Sequence, residues 1–101
     1  EVFDIAVRMF PTDPVANLNA ANAAMASGRM EYAERYLKRA GDSGDAVYAR
    51  GIYEALGKNY DAAIDLMRQA ESKGVAQAAQ AIKSIENARA HHQPVTYLSQ
   101  D

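Results

Sequence analysis

The clearest alternation of apolar and polar positions in the chain runs from Tyr60 to Gly74, YDAAIDLMRQAESKG. Tyr60, Ala63, Ile64, Met67 and Ala70 recur at spacings of three and four and so share one stripe of a helix, while Asp61, Asp65, Arg68, Gln69 and Lys73 take the opposite side. Gly74 supplies the left-handed residue that ends such a helix. The same pattern stands earlier in Met30 to Gly41, MEYAERYLKRAG, where Ala33, Leu37 and Ala40 hold the places of Ala63, Met67 and Ala70. An amphipathic helix written twice with its stop predicts an all-α chain built from repeated units.

The remaining pattern adds four helices. Phe3, Ala6, Val7 and Phe10 form a stripe over residues 1–10, closed by Pro11 and Pro14. Thr12 or Asp13 can cap a second helix over 14–27, with Pro14 in its first turn, Leu18, Ala21 and Met25 on one line, and Gly28 as its stop. Met30 to Ala40 is the third. The turn formers GDSGD at 41–45 offer Asp42, Ser43 or Asp45 as the cap of a fourth over 46–56, which carries Val47 or Tyr48, Ala49, Ile52, Tyr53 and Leu56 on a broad face and stops at Gly57. Gly51 inside that helix costs about 1 kcal/mol relative to Ala, which predicts close packing there. The helix from Tyr60 is the fifth. A sixth over 75–90 aligns Val75, Ala78, Ile82 and Ile85, and residues 91–101, HHQPVTYLSQD, read as a tail.

Composition narrows this picture. The 101 residues include 21 Ala, two Phe and no Trp, a core palette that lets helices approach closely and argues against a β fold. Net charge is −2 with basic and acidic residues interspersed, so neither a nucleic-acid footprint nor a polybasic membrane patch is predicted. No apolar run reaches the length of a membrane span, and no signal peptide is visible. Without cysteine there is no disulfide or thiolate metal site, and the redox compartment stays open.

Six short helices joined by two to five residues must pack as consecutive neighbours. Phe3 to Leu37 and Ala6 to Ala40 are each 34 positions apart, and Ala40 to Ala70 is 30. A helix-turn-helix period of 34 resembles the tetratricopeptide repeat. Asn17 to Ala40 looks like one such unit, with small Ala21, Gly28 at the turn, Ala33 at the helix crossing, and Leu37 and Ala40 after it; Ala46 to Ala70 is similar through Gly51, Tyr60, Ala63, Met67 and Ala70. Pro11, five residues after Ala6, matches the family's closing proline. Ala46 to Ala79 also looks like the related Sel-like repeats. The departures are Asn17 and Val47 where a large residue is common, Ala20 and Arg50 where Leu is usual, and Ala24 and Glu54 where Tyr or Leu is usual, which leave the first helices underfilled.

The resemblance implies a right-handed superhelix of antiparallel helix hairpins, a tetratricopeptide-like α-α solenoid of about six helices. It divides a single domain, 1–90, into the second half of a truncated repeat (1–13), two repeats (14–44 and 45–74) and a terminal capping helix (75–90). The chain thus reads as a piece of something longer. PTDPxxNLNAAN together with YLKRAGDS is also similar to the C-terminal repeat segments of some bacterial envelope proteins, which implies a periplasmic or cell-envelope setting. In this family the first helix of each hairpin lines an inner surface that binds extended peptides or partner helices. Carried residue by residue, the partner-binding candidates are Val15, Leu18, Asn19, Asn22 and Met25 from one hairpin, and Tyr48, Ile52 and Ala55 from the next; Asn19 and Asn22 supply hydrogen bonds to a ligand backbone. The Lys and Arg that clamp a terminal carboxylate in the chaperone-binding subclass are absent, so the ligand implied is an apolar or amphipathic segment.

Catalytic chemistry finds no foothold. Asp42, Asp45, Asp61 and Asp65 sit in a turn or on a polar helix face with no nucleophile beside them. His91 and His92 are adjacent, so on a helix they point about 100° apart, and no further ligand is near; a solvated helix end is the simpler reading. No phosphate loop occurs. We therefore expect no enzyme, metal or cofactor, and a protein or peptide partner, with self-association through the face left by the truncated first repeat. Two other roles fit the same residues: a spacer or cap packed on a neighbouring domain with no ligand groove, and a regulatory domain of an enzyme lying elsewhere in a longer chain.

Overall fold

The computed structural model of this chain describes residues 13–91, and two of its helices start where a side chain satisfies orphan backbone donors. Asp13 accepts from the amides of Val15 (2.9 Å) and Ala16 (3.5 Å) and opens α1, Pro14–Ala26, with proline at its start. After α2, Met30–Lys38, Ser43 accepts from the Ala46 amide (3.2 Å) and opens α3, Gly44–Leu56. Ser43 is thus the cap among the three candidates, and it moves the start of α3 two residues ahead of the expected Ala46. α4, Tyr60–Ser72, and α5, Gln77–His91, complete five helices, and there is no strand among the described residues. The helix expected over 1–10, with Phe3 and Ala6 of the 34-residue spacing and the half repeat 1–13 it belongs to, lies outside the described residues apart from Asp13, as does the expected tail after His91.

Three helices end in one motif. After α1 the amides of Gly28 and Arg29 donate to Met25 O (3.1 Å) and Ala24 O (2.8 Å); after α3 those of Lys58 and Asn59 donate to Ala55 O (3.0 Å) and Glu54 O (2.8 Å); after α4 those of Gly74 and Val75 donate to Glu71 O (3.0 Å) and Ala70 O (3.1 Å). These paired bonds close a helix around one left-handed residue. Gly28 (φ 76°) and Gly74 (φ 94°) provide it without strain, and after α3, which stops at its C-cap Gly57 as expected, Lys58 (φ 65°) takes the left-handed position. A side chain pays for that conformation through its Cβ clash. Lys58→Gly is therefore expected to stabilise the chain by about 0.5–1 kcal/mol, read as a higher thermal midpoint, whereas Gly28→Lys should lower it.

The first two motifs run straight into the next helix. Arg29 (φ −92°, ψ 71°) and Asn59 (φ −90°, ψ 71°), thirty positions apart, precede α2 and α4 and accept from Ala33 and Ala63 at 3.0 and 2.9 Å. α1 and α3 also begin and end thirty positions apart. The turns from α1 to α2 and from α3 to α4 thus share one backbone geometry, although α2 has nine residues and α4 thirteen.

α2 packs back on α1, α4 on α3, and α5 on α4, with thinner contacts from α3 to α1 and α2. The core falls into two clusters. One joins Ala20, Ala21, Ala24, Ala33, Tyr36 and Leu37 with Ala49 of α3; the other joins Val47 of α3 with Ala63, Ile64, Met67, Ala70, Ala78 and Ile85. Alanine at the crossings Ala33 and Ala63, both fully buried, lets the paired helices approach. Gly51 is buried too, but its near neighbour is Met67: a Cβ there would lie 2.8 Å from the Met67 methyl. Asn17 stands where its counterpart thirty positions on is Val47, and it is fully buried as well; both its backbone and its side-chain nitrogen donate to Asp13 O, at 3.0 and 2.9 Å.

Candidate functional site

The thirty-residue recurrence sets Leu18, Asn22 and Met25 of α1 in register with Tyr48, Ile52 and Ala55 of α3, since both helices enter and leave through the same motif. Of the eight residues expected to meet a partner, none is buried. Val15, Asn19 and Asn22 are exposed, and Leu18, Met25, Tyr48, Ile52 and Ala55 are half-buried. Leu18 and Met25 lean on the first core cluster, and Tyr48, Ile52 and Ala55 on the second. Each helix therefore offers a ridge whose inner edge is fixed by packing and whose outer edge meets solvent.

Two of the eight, both from α3, meet at one groove. Tyr48 and Ile52 form one wall of a groove of about 380 Å³, and α5 supplies the other through Gln77, Gln80, Ala81, Ser84 and Ile85. The α1 residues and Ala55 are not among its walls. The α5 wall was absent from the expected set. Its signal was present in the sequence as Gln77, Gln80 and Ser84, spaced three and four apart beside the apolar line of Ala78, Ala81 and Ile85.

The groove holds no carboxylate, ammonium or guanidinium. Its floor is aliphatic and aromatic, and its polar groups are amides and hydroxyls that both donate and accept. Such a lining suits uncharged hydrogen-bonding ligands with apolar side chains and gives no means of activating a nucleophile or a water. No group of three or more His, Cys, Asp or Glu is placed to hold a metal among the described residues. His91 lies in the last turn of α5 with Nδ1 2.8 Å from Asn87 O, one helical turn back; His92 lies outside the described residues. No helix among them is long and apolar enough to cross a membrane.

Away from the groove, the seam between the two hairpins carries polar contacts. The Tyr53 hydroxyl of α3 donates to Glu34 Oε2 of α2 at 3.0 Å. Its pKa is raised, first by burial of the phenol, then by that hydrogen bond and by the negative charge of Glu34 and Glu54. Because the folded state favours the neutral phenol, this contribution is intact below the ordinary phenol value of about 10 and is lost as pH rises through the higher folded value. Urea titrations on either side of that range should show stability falling less for Tyr53→Phe than for the wild type; parallel falls would remove Tyr53 as the cause. Arg89 of α5 pairs with Asp61 of α4 at an exposed site, worth at most about 1 kcal/mol.

In comparisons with known proteins, no family model, no curated protein and no solved structure matches the chain.

Proposed function

We propose that this chain is a non-catalytic protein–protein interaction module, a tetratricopeptide-like array of helix hairpins whose first helices, α1 and α3, together with the terminal helix α5, present one face to an apolar or amphipathic peptide segment. The observation that carries the reading is the uncharged groove between Tyr48 and Ile52 of α3 and the Gln77, Gln80, Ala81, Ser84 and Ile85 wall of α5. Amide side chains on one wall can pair with a peptide backbone, and the aliphatic floor can take alternate side chains of an extended segment or one edge of an amphipathic helix. The register of Leu18, Asn22 and Met25 with Tyr48, Ile52 and Ala55 supports a ligand path that continues onto α1.

A display selection of random peptides against the whole chain tests this. The expected result is a set of uncharged, apolar-rich peptides that bind the wild type and lose binding to an Ile52→Asp, Ala81→Glu variant that retains its helical circular dichroism. Leu18→Asp should weaken the longer peptides and spare the shorter ones. Failure to enrich any peptide, or peptides indifferent to the groove substitutions, would favour a spacer or capping role, in which the same faces pack only on neighbouring helices.

A further inference from the structure

Arg50 is the residue whose placement its own helix does not explain. The equivalent position thirty residues earlier is Ala20, fully buried in the first core cluster. A guanidinium in that place exposes only 25% of its side chain, and desolvating it is unfavourable unless its donors are used. They are used across the seam: Nη2 donates to Leu37 O at 2.7 Å and to Gly41 O at 2.6 Å, and Nη1 lies 3.5 Å from Oδ1 of the exposed Asp42. Leu37 lies in the last turn of α2, where its carbonyl accepts from the Ala40 amide at 3.2 Å, and Arg50 adds a second, charged donor to it from outside the helix. Tyr53, one turn along α3, reaches back to Glu34, one turn up α2.

Apolar packing at this seam is thin. The first core cluster is built by α1 and α2, and α3 contributes to it only Ala49 and the half-buried Tyr53; the second is built by α3, α4 and α5. Between α2, α3 and α4 lies an open cleft of about 330 Å³ bounded by Glu34, Leu37, Lys38, Arg50, Tyr53, Glu54 and Leu66, where close packing would leave no such space. The connection at 39–43 turns through Gly41 at φ 80°. A short connection, a cleft and a set of directional hydrogen bonds are the parts of a hinge with a catch.

We infer that Arg50, with Tyr53, is a polar latch that fixes the angle between the α1–α2 hairpin and the α3–α4–α5 unit, so that opening it lets the two pivot about residues 39–43 while each keeps its own core. Arg50 is on this account a positioning residue: it aligns the α1 ridge with the α3 ridge without touching anything that binds there. The latch stands on its own geometry, whether or not those ridges bind a peptide.

The chain has no cysteine, so nitroxide labels can be placed at chosen sites alone. One pair, Glu31→Cys on α2 and Asp65→Cys on α4, spans the seam; a second, Asp65→Cys and Lys83→Cys on α5, lies within one unit, and all three positions are exposed. In the full chain with native Arg50 both distance distributions should be narrow. Arg50→Met keeps the stem and removes the donors; it should broaden the seam distribution roughly twofold and leave the reference pair unchanged. Arg50→Lys, which cannot reach both carbonyls with a fork of donors, should give an intermediate width. A seam pair that stays narrow in the folded variants overturns the latch, as does equal broadening of both pairs or a seam pair already broad with Arg50 in place. Loss of helical circular dichroism in both Arg50→Met and Arg50→Lys would also overturn it, since Arg50 would then be needed for the fold itself.

Discussion

Met67→Ala is expected to lower stability by about 3 kcal/mol, roughly 15 °C in thermal midpoint for a chain of this size. Among the described residues Met67 is the largest apolar side chain that is fully buried, and its methyl and sulfur are the nearest atoms over Gly51. Truncating it removes several buried methylene-sized groups and leaves a void between α3 and α4. The pair also predicts a sign reversal. In the wild type, Gly51→Ala sets a methyl 2.8 Å from the Met67 methyl and 3.1 Å from its sulfur, so the gain in helix propensity is offset by strain in a side chain with no room to move. We expect a net loss of about 1 kcal/mol. In the Met67→Ala background the same substitution fills part of the void and should recover about 1 kcal/mol. A double-mutant cycle by chemical denaturation reads both numbers; equal effects of Gly51→Ala in the two backgrounds would mean that Met67 and Gly51 do not share the space as described.

Arg50→Met should cost about 2 kcal/mol, close to 10 °C in thermal midpoint. Two hydrogen bonds from a charged donor are lost, one at Gly41 O and one at Leu37 O, which keeps the Ala40 amide. The Asp42 contact adds little, because that carboxylate is 91% exposed and water screens it. Asp42→Asn is accordingly expected to leave the midpoint almost unchanged, and this contrast separates the carbonyl bonds from the ion pair. If both variants melted together, the carbonyl contacts would not be the source of the stabilisation.

The local parts of the structure were legible from the sequence. Asp13 before Pro14, and the glycines at 28 and 74, mark ends that the structure uses, because a cap or a left-handed residue acts on groups within about four positions of itself; α2 instead ends at Lys38 with Arg39 as its cap, short of the expected Ala40 and Gly41. The apolar stripe Ala63, Ile64, Met67 and Ala70 is buried as one face of α4 for the same reason: the helical period alone brings those side chains together. Gly57 is the C-cap that ends α3 after Leu56, as its position in the sequence predicts, and the paired bonds to Ala55 and Glu54 put the left-handed conformation on the next residue, Lys58.

The groove was half legible. Tyr48 and Ile52 follow from the face of α3, but their opposite wall comes from α5, some thirty positions later, and spacing within one helix carries no information about which other helix will stand across from it. The 34-residue spacing rests on Phe3 and Ala6, outside the described residues, whereas the recurrence visible in the backbone is thirty positions, from Arg29 to Asn59. Asn17 and Arg50 both looked like gaps in an apolar pattern. Each instead satisfies carbonyls, Asn17 at Asp13 in its own first turn and Arg50 at Leu37 and Gly41 across the seam.

The sequence by itself thus located the five helices of the described residues, the Asp13 cap, the stops at Gly28, Gly57 and Gly74, and the small residues that let the helices cross, all consequences of backbone geometry over a few positions. Tertiary structure decided what distant partners do to each other: that Met67 fills the space over Gly51, that α5 walls a groove with α3, and that a guanidinium thirteen positions beyond Leu37 adds a second donor to its carbonyl. Those contacts depend on how whole helices are set against one another, and that is fixed only when their buried faces are packed together.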